Sequence, residues 1–169
     1  MLDIHEPKKI TQKQFIKEAI KYDLLEYNHL IADSFLVDKL GNFNQQDHFN
    51  ALFFFVNNQP VVLADLENCA GRGITEIESF VSGKESFVKN NGVFLDEIFE
   101  HTRIIDVKTQ KLYDKQLYHS NKTILITWAS HQGRFNKVPT KVWGKECALK
   151  IKDSTVTVFY LNLDLIDGN

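Results

Sequence analysis

Apolar side chains recur every three or four residues along the N-terminal part of the chain. The members of this stripe are Ile16, Ile20, Leu24, Tyr27, Ile31 and Phe35. This spacing is typical of an amphipathic helix that buries one face. The stripe follows Thr11-Gln12-Lys13-Gln14, a capping-box sequence that predicts a helix start. We therefore predict a helical segment within residues 1–41, as one long helix or as two helices with a break near Tyr22-Asp23, ending at Gly41.

A different pattern begins at Ala51, where six apolar residues follow one another without a polar interruption. A short unbroken apolar run predicts a strand that is buried on both faces. Asn57-Asn58-Gln59-Pro60 has the composition of a turn, and an apolar stretch returns from Val61 to Leu66. Residues 51–66 are therefore predicted to form a β-hairpin, with Phe53 and Phe55 on one face and Phe54 on the other.

The rest of the chain alternates short helical and strand patterns. Residues 75–101 predict two short helices, of which the first begins at the capping-box sequence Thr75-Glu76-Ile77-Glu78 and the second covers Val93 to His101. Residues 103–164 predict further strands at Arg103–Val107, Thr123–Trp128 and Thr155–Asp164. Residues 138–151 fit a helix or a strand, because Gly144 weakens an otherwise helical pattern.

These elements predict an α+β or α/β fold, in which the N-terminal helical segment packs on a mixed sheet of about five strands with short intervening helices. The chain has 169 residues. Domains of this length usually form one core, so residues 1–169 are expected to be a single domain. No internal repeat and no linker divides them.

Composition narrows the class of function. The formal net charge is −2, which lacks the basic character of a protein that binds nucleic acid directly. No apolar run reaches the roughly 18–20 residues that span a bilayer, so no membrane association is expected. The first twenty residues carry interspersed charges rather than a signal-peptide pattern, and the only cysteines are Cys69 and Cys147. We therefore expect a cytoplasmic protein with reduced thiols.

Catalytic and ligand-binding motifs are weak. Glu97 and His101 share one face of a predicted helix, but a metal site needs three or four ligands, so no metal is predicted. The glycine loop Asn68–Gly73 does not match the spacing of phosphate-binding loops, so no cofactor is predicted. Cys147 follows Glu146 on an apolar face and is interpreted as a small buried hydrophobe.

One segment resembles a known family. Trp128-Ala129-Ser130-His131-Gln132-Gly133-Arg134-Phe135, after a predicted strand, is similar to the active-site segment of the thioredoxins, and Val156–Asp164 resembles the next strand of that family. The resemblance implies a permuted or decayed thioredoxin-like domain. Gln132 and Phe135 occupy the positions of the family's cysteines, so such a domain would be redox-inactive.

The sequence supports two hypotheses about the function. The first is a non-catalytic cytosolic binding protein, such as an immunity or inhibitor protein that neutralises a basic partner, for example a toxin nuclease. Its partner would meet an acidic surface. The residues assigned to that surface are Asp65, Glu67, Glu76, Glu78, Asp96, Glu97 and Glu100. The alternative is a small enzyme centred on the Ser130–Phe135 loop, with His131 as general base and Arg134 binding an anionic substrate.

Overall fold

In the part of the chain that the computed structural model describes, eight strands form one mixed β-sheet. The structure describes residues 9–43, 51–64, 72–83, 86–113, 121–137, 139–151 and 155–166. The strands are β1 (His29–Ala32), β2 (Leu52–Val56), β3 (Gln59–Leu63), β4 (Phe87–Lys89), β5 (Thr102–Asp106), β6 (Lys111–Tyr113), β7 (Lys122–Trp128) and β8 (Val156–Asn162). Their order across the sheet is β4-β3-β2-β7-β8-β1-β5-β6.

Three neighbouring strands in the middle of this sheet are parallel. β8 pairs in parallel with β7 on one side and with β1 on the other, whereas the remaining pairs are antiparallel. The carboxyl ends of β7, β8 and β1 therefore lie at the same end of the sheet, which we call the carboxyl end.

Helices cover both faces of the sheet. They are α1 (Gln12–Lys21), α2 (Ser34–Phe43), α3 (Arg72–Ser82), α4 (Leu95–Glu100) and α5 (Lys145–Lys150). One core contains apolar side chains of α1, α3 and α5, and we call its side of the sheet the first face. The other core contains side chains of α2 and α4 and defines the second face. The predicted α+β class is therefore confirmed, with eight strands in place of about five.

The predicted hairpin is confirmed. β2 and β3 pair in antiparallel register across a turn in which Asn57 and Asn58 both have positive φ, as the tight turns of twisted hairpins require. Phe54 packs in the first-face core, whereas Phe53 and Phe55 pack on the second face. The alternation follows from the two-residue period of a strand, because successive side chains point to opposite faces.

The N-terminal prediction is partly wrong. The capping box is present, since the amide of Gln14 donates to the Thr11 hydroxyl and the Thr11 amide donates to the Gln14 side chain. The helix ends before Asp23, which has a positive φ of 59°. The next part of the stripe is strand β1 rather than a helix, and α2 continues through Gly41 to Phe43. Ile31 fits a helical stripe and a buried strand equally well, so spacing alone could not separate them.

The second capping box is not a helix start, because α3 already begins at Arg72 and includes Thr75 in its interior. Gly73 lets the first turn of this helix pack closely on Trp143, since a Cβ there would lie 2.8 Å from Cε2 of that ring. Residues 139–150 adopt the helical alternative, as a π-helical stretch Pro139–Gly144 followed by α5, and Ile151 ends it with an extended backbone. The predicted strands near Arg103, Thr123 and Thr155 are present as β5, β7 and β8.

Candidate functional site

At the carboxyl end of the sheet, the chain leaves two neighbouring parallel strands toward opposite faces. After β8 the chain turns to the first face, where Ile166 is buried and bridges to Ile10. After β1 it turns to the second face, where Leu36 of α2 packs. Ligand sites of open α/β sheets lie beyond the carboxyl ends of strands at such a change of direction. We therefore take the residues that follow β7, β8 and β1 as the candidate site.

Beyond β7 and β8 the polar groups bind one another. The carboxylate of Asp164 is fully buried and accepts hydrogen bonds from the Ser130 amide at 2.8 and 3.0 Å and from the Ser130 hydroxyl at 2.8 Å. It also accepts one from Nδ2 of Asn162 at 2.9 Å. A buried carboxylate is stable only when it is paired or hydrogen-bonded in this way. Asp164 thus ties the exit of β8 to the exit of β7.

The loop that leaves β7 is closed by a second buried side chain. Asn136 accepts a hydrogen bond from the Ala129 amide at 3.3 Å and donates Nδ2 to the Ala129 carbonyl at 2.7 Å. Between them, Ser130–Asn136 forms a 3-10 helix with a kink at Gly133, whose φ of 52° favours glycine. We call Ser130, Asn136, Asn162 and Asp164 the clasp.

His131, the general base of the enzyme hypothesis, lies beside the clasp. Its Nδ1 is buried and lies 3.4 Å from Oδ1 of Asp164, while the side chain as a whole is 19% exposed. Within the described residues this Nδ1 has no hydrogen-bond partner, so the approach to Asp164 is a close contact that does not fix the tautomer of the ring. Arg134 belongs to the same 3-10 helix, but its side chain lies outside the described residues.

A buried histidine lies beneath the clasp. His29 has no exposed surface, and its Nδ1 accepts a hydrogen bond from Nε1 of Trp128 at 3.2 Å. Its Nε2 then donates to the Leu24 carbonyl at 2.9 Å, because the indole can only donate. Burial lowers the pKa of His29 to about 4, against the opposing effects of the Leu24 carbonyl and of Asp106. The ring is thus neutral and structural.

Beyond β1 the polar groups lie at the surface. Asp33 is the N-cap of α2, where its carboxylate accepts a hydrogen bond from the Leu36 amide at 2.9 Å. Its other oxygen lies 2.8 Å from Nδ1 of His101. Burial opposes ionisation of Asp33, but the Leu36 and His101 contacts outweigh it and lower the pKa of this carboxyl. The ring of Phe35, which is 52% exposed, stacks on His101 at 4.4 Å.

Helix α4 leads from the hairpin turn to this exposed corner. Its N-terminus is fixed to Asn58, whose side chain accepts a hydrogen bond from the Asp96 amide at 2.7 Å and donates one to the Asp96 carboxylate at 2.6 Å. Phe94, which is 48% exposed, precedes the helix, and His101 caps its end. We call this surface the α4 strip. Its members are Phe35, Phe94, Asp96, Glu97, Glu100 and His101.

The predicted acidic surface is divided by the sheet. Glu76 and Glu78 belong to α3 on the first face, whereas Asp96, Glu97 and Glu100 belong to α4 on the second face. Glu76 is buried, and Glu78 lies 2.6 Å from the Lys150 ammonium. The five residues therefore form two separate groups on opposite faces of the sheet, and whether either group binds a partner stays a prediction. Asp65 and Glu67 lie outside the described residues.

Other predicted features are resolved more simply. Cys147 is a free, fully buried thiol whose pKa burial raises to about 12, as expected of a small core residue. Cys69 lies outside the described residues. Glu97 and His101 contact Lys39 and Asp33 respectively rather than a shared site. Within the described ranges, no three His, Cys, Asp or Glu side chains come together as metal ligands. Nor does any helix there have the length and apolar character needed to cross a membrane.

No family model, curated protein or solved structure matches the chain. The thioredoxin resemblance of residues 128–135 thus has no support from these comparisons. In the structure the segment from Ser130 is a 3-10 helix, and β8 follows in parallel to β7.

Proposed function

We propose that the protein is a non-catalytic binding protein whose docking surface for a basic protein partner is the α4 strip. The observation that carries this proposal is the placement of two half-exposed phenylalanines at the two ends of an acidic helix. Aromatic anchors supply most of the binding energy in protein interfaces, and surrounding charges steer the encounter. In this proposal Phe35 and Phe94 supply the binding energy, and the negative electrostatic field of the α4 carboxylates attracts the basic partner.

The geometry of the strip supports a preformed surface. Asn58 anchors the start of α4, and the Asp33–His101 contact anchors its end. Ile98 holds its middle against the second-face core. A surface fixed at these three points loses little conformational freedom on binding, which favours affinity.

The finer form of the proposal is an immunity or inhibitor protein that neutralises a basic toxin, such as a nuclease, in the cytoplasm. It is supported by the net charge of −2 and by the acidic character of α4. The free thiol of Cys147 is compatible with a reducing compartment.

Affinity capture with paired baits tests the proposal. The wild-type protein should retain a basic protein that a Glu97→Lys, Glu100→Lys bait fails to retain. The matched control is Glu18→Lys with Glu78→Lys, which changes the net charge equally but lies on the first-face helices α1 and α3. If the Glu97→Lys, Glu100→Lys bait retains the same proteins as the wild type, the α4 strip is not the docking surface. The same conclusion follows if the control bait loses these proteins to the same extent. A captured partner is then assayed for nuclease activity with and without the protein.

A second candidate function is an enzyme acting at the clasp. It is favoured by the 3.4 Å approach of His131 to Asp164. Arg103 pairs in register with Ile31, so it lies on the first face of the sheet. Its Nε is buried without a hydrogen-bond partner in the described part of the chain, and such a guanidinium donor suits an anionic substrate. Hydrolysis of p-nitrophenyl phosphate or p-nitrophenyl acetate that is lost in His131→Gln, with the fold intact, would favour this candidate over the first.

A further inference from the structure

The α4 strip contains a cation that belongs to the protein itself. Lys39 extends from α2 toward α4, and its ammonium group pairs with the carboxylate of Glu97. The same ammonium lies 5.8 Å from the ring centroid of Phe35. A cation within about 6 Å of an aromatic ring is attracted by its π-electrons. The ring and the carboxylate together form a seat for a cation, which we call the Lys39 seat.

The occupant of this seat is weakly held. The side chains of Lys39 and Glu97 are 32% and 30% exposed, so water competes with their contact. Exposed ion pairs contribute little net stability, because solvent screens them and both long side chains lose freedom. A cation delivered by a partner, already ordered by other contacts, can therefore displace Lys39.

We propose that Lys39 is an internal competitor that occupies the seat which a lysine or arginine of the basic partner takes in the complex. The inference rests on the proposed function, since it assigns the partner's chemistry at the same surface. Charge complementarity is its basis: the seat already binds an ammonium group, and Asp96 and Glu100 on α4 extend the negative field around it. Displacement of Lys39 frees Phe35 and Glu97 for the incoming side chain.

The structure offers a matched control elsewhere on the surface. Lys21 lies 2.9 Å from Glu18 and 4.8 Å from the ring centroid of Tyr22, so it makes the same two kinds of contact. It belongs to α1, on the opposite face of the sheet from α4. Lys21→Met and Lys39→Met change the net charge equally, and only Lys39→Met empties a seat on the strip.

The test is titration of the isotope-labelled protein with an oligo-arginine peptide at low salt, followed by amide chemical shifts. The wild type should show shifts at the α4 strip. Lys39→Met should bind the peptide about two- to fivefold more tightly than Lys21→Met, because exposed pairs are worth no more than this factor. Lys39→Arg, which refills the seat, should bind like the wild type.

The outcomes separate the two proposals. If the wild type binds at the α4 strip but Lys39→Met binds no more tightly than Lys21→Met, Lys39 is not a competitor and the docking proposal stands. If neither the wild type nor Lys39→Met shows shifts at the strip, both proposals are wrong. Urea unfolding of each variant shows whether it retains the fold.

Discussion

Two aspartates follow neighbouring parallel strands and lie beside histidines, yet their surroundings differ. Asp164 after β8 is fully buried, and its oxygens bind Ser130 and Asn162 of the protein itself. Asp33 after β1 caps α2 and lies at the surface with His101. Both pairs use an aspartate and an imidazole at the same end of the sheet. The buried aspartate stabilises the fold through hydrogen bonds within the protein, whereas the exposed one remains accessible to a partner.

This difference shows why an aspartate–histidine pair is a weak indicator of catalysis. At the clasp, three donor groups already bind the carboxylate, namely the amide and hydroxyl of Ser130 and Nδ2 of Asn162, whereas Nδ1 of His131 does not hydrogen-bond to it. At the exposed corner, the pair fixes the end of α4 and supports Phe35. The burial and the hydrogen-bond partners of the carboxylate distinguish the two roles, and the residue types do not.

The largest expected effect is the loss of the clasp. Asp164→Ala leaves the Ser130 amide and hydroxyl and the Asn162 amide without their acceptor in a buried site. Each buried donor left without an acceptor costs about 1–3 kcal/mol, so the free energy of unfolding should fall by about 3 kcal/mol or more. Urea denaturation followed by circular dichroism measures it. A loss below that of an ordinary surface substitution would show that the clasp does not stabilise the fold.

The next largest effect is a change of the free energy of unfolding with pH, which the buried His29 and the exposed Asp33 produce in different pH ranges. The folded pKa of His29, about 4, is below its ordinary value of 6.5, so the unfolded chain binds the extra proton first. This contribution to stability is fully present above pH 6.5 and is lost as the pH falls toward 4, by roughly 3 kcal/mol. Asp33 contributes little to this window, because a carboxyl pKa lowered from 3.8 places most of its loss of stability at more acidic pH.

The variant His29→Gln provides the check on this pH dependence. Its free energy of unfolding is first measured at pH 7, and this free energy should then change far less than that of the wild type between pH 6.5 and 4. Urea midpoints at a series of pH values give both curves. Parallel curves would mean that another buried group titrates in this window.

The sequence predicted the parts of the fold that local patterns determine. The apolar run of β2, the turn at Asn57-Asn58 and the alternation of β8 are local signals, and all three are present. Strand β1 was missed because Ile31 also fits the helical stripe of the preceding residues. The edge strands β4 and β6 have three residues each, too few to show a period.

The candidate site was less predictable, because it depends on which strands are neighbours. Ser130 follows the predicted strand Thr123–Trp128, and Asp164 is the last residue of the predicted strand Thr155–Asp164, so both lie near the carboxyl end of a strand. Their contact requires β7 and β8 to be adjacent and parallel, and no local pattern states this. The division of the acidic residues between two faces has the same cause, since it depends on where α3 and α4 pack.

A smaller effect is expected at the exposed corner. Asp33→Ala removes the N-cap of α2 and should lower the free energy of unfolding by about 1 kcal/mol. Asp33→Asn keeps an acceptor for the Leu36 amide, so it should cost only a few tenths of that. The exposed Asp38, on the same helix but beyond its first turn, is the control, and Asp38→Ala should be near neutral. Equal losses in Asp33→Ala and Asp33→Asn would assign the effect to charge rather than to capping.

The smallest expected effect is the coupling between Lys39 and Glu97. A double-mutant cycle with Lys39→Met and Glu97→Gln should give about 0.2–1 kcal/mol, because both side chains are partly exposed. Raising the salt concentration should reduce the coupling, since the Debye length falls from about 10 Å at 0.1 M to about 3 Å at 1 M. The same cycle at the clasp, with Ser130→Ala and Asp164→Asn, should be larger and insensitive to salt because water is excluded there. A strong, salt-independent coupling between Lys39 and Glu97 would show that this contact stabilises the fold in the way that the clasp does. Lys39 would then be too firmly held for a partner to displace, and the contrast between the clasp and the exposed corner would disappear.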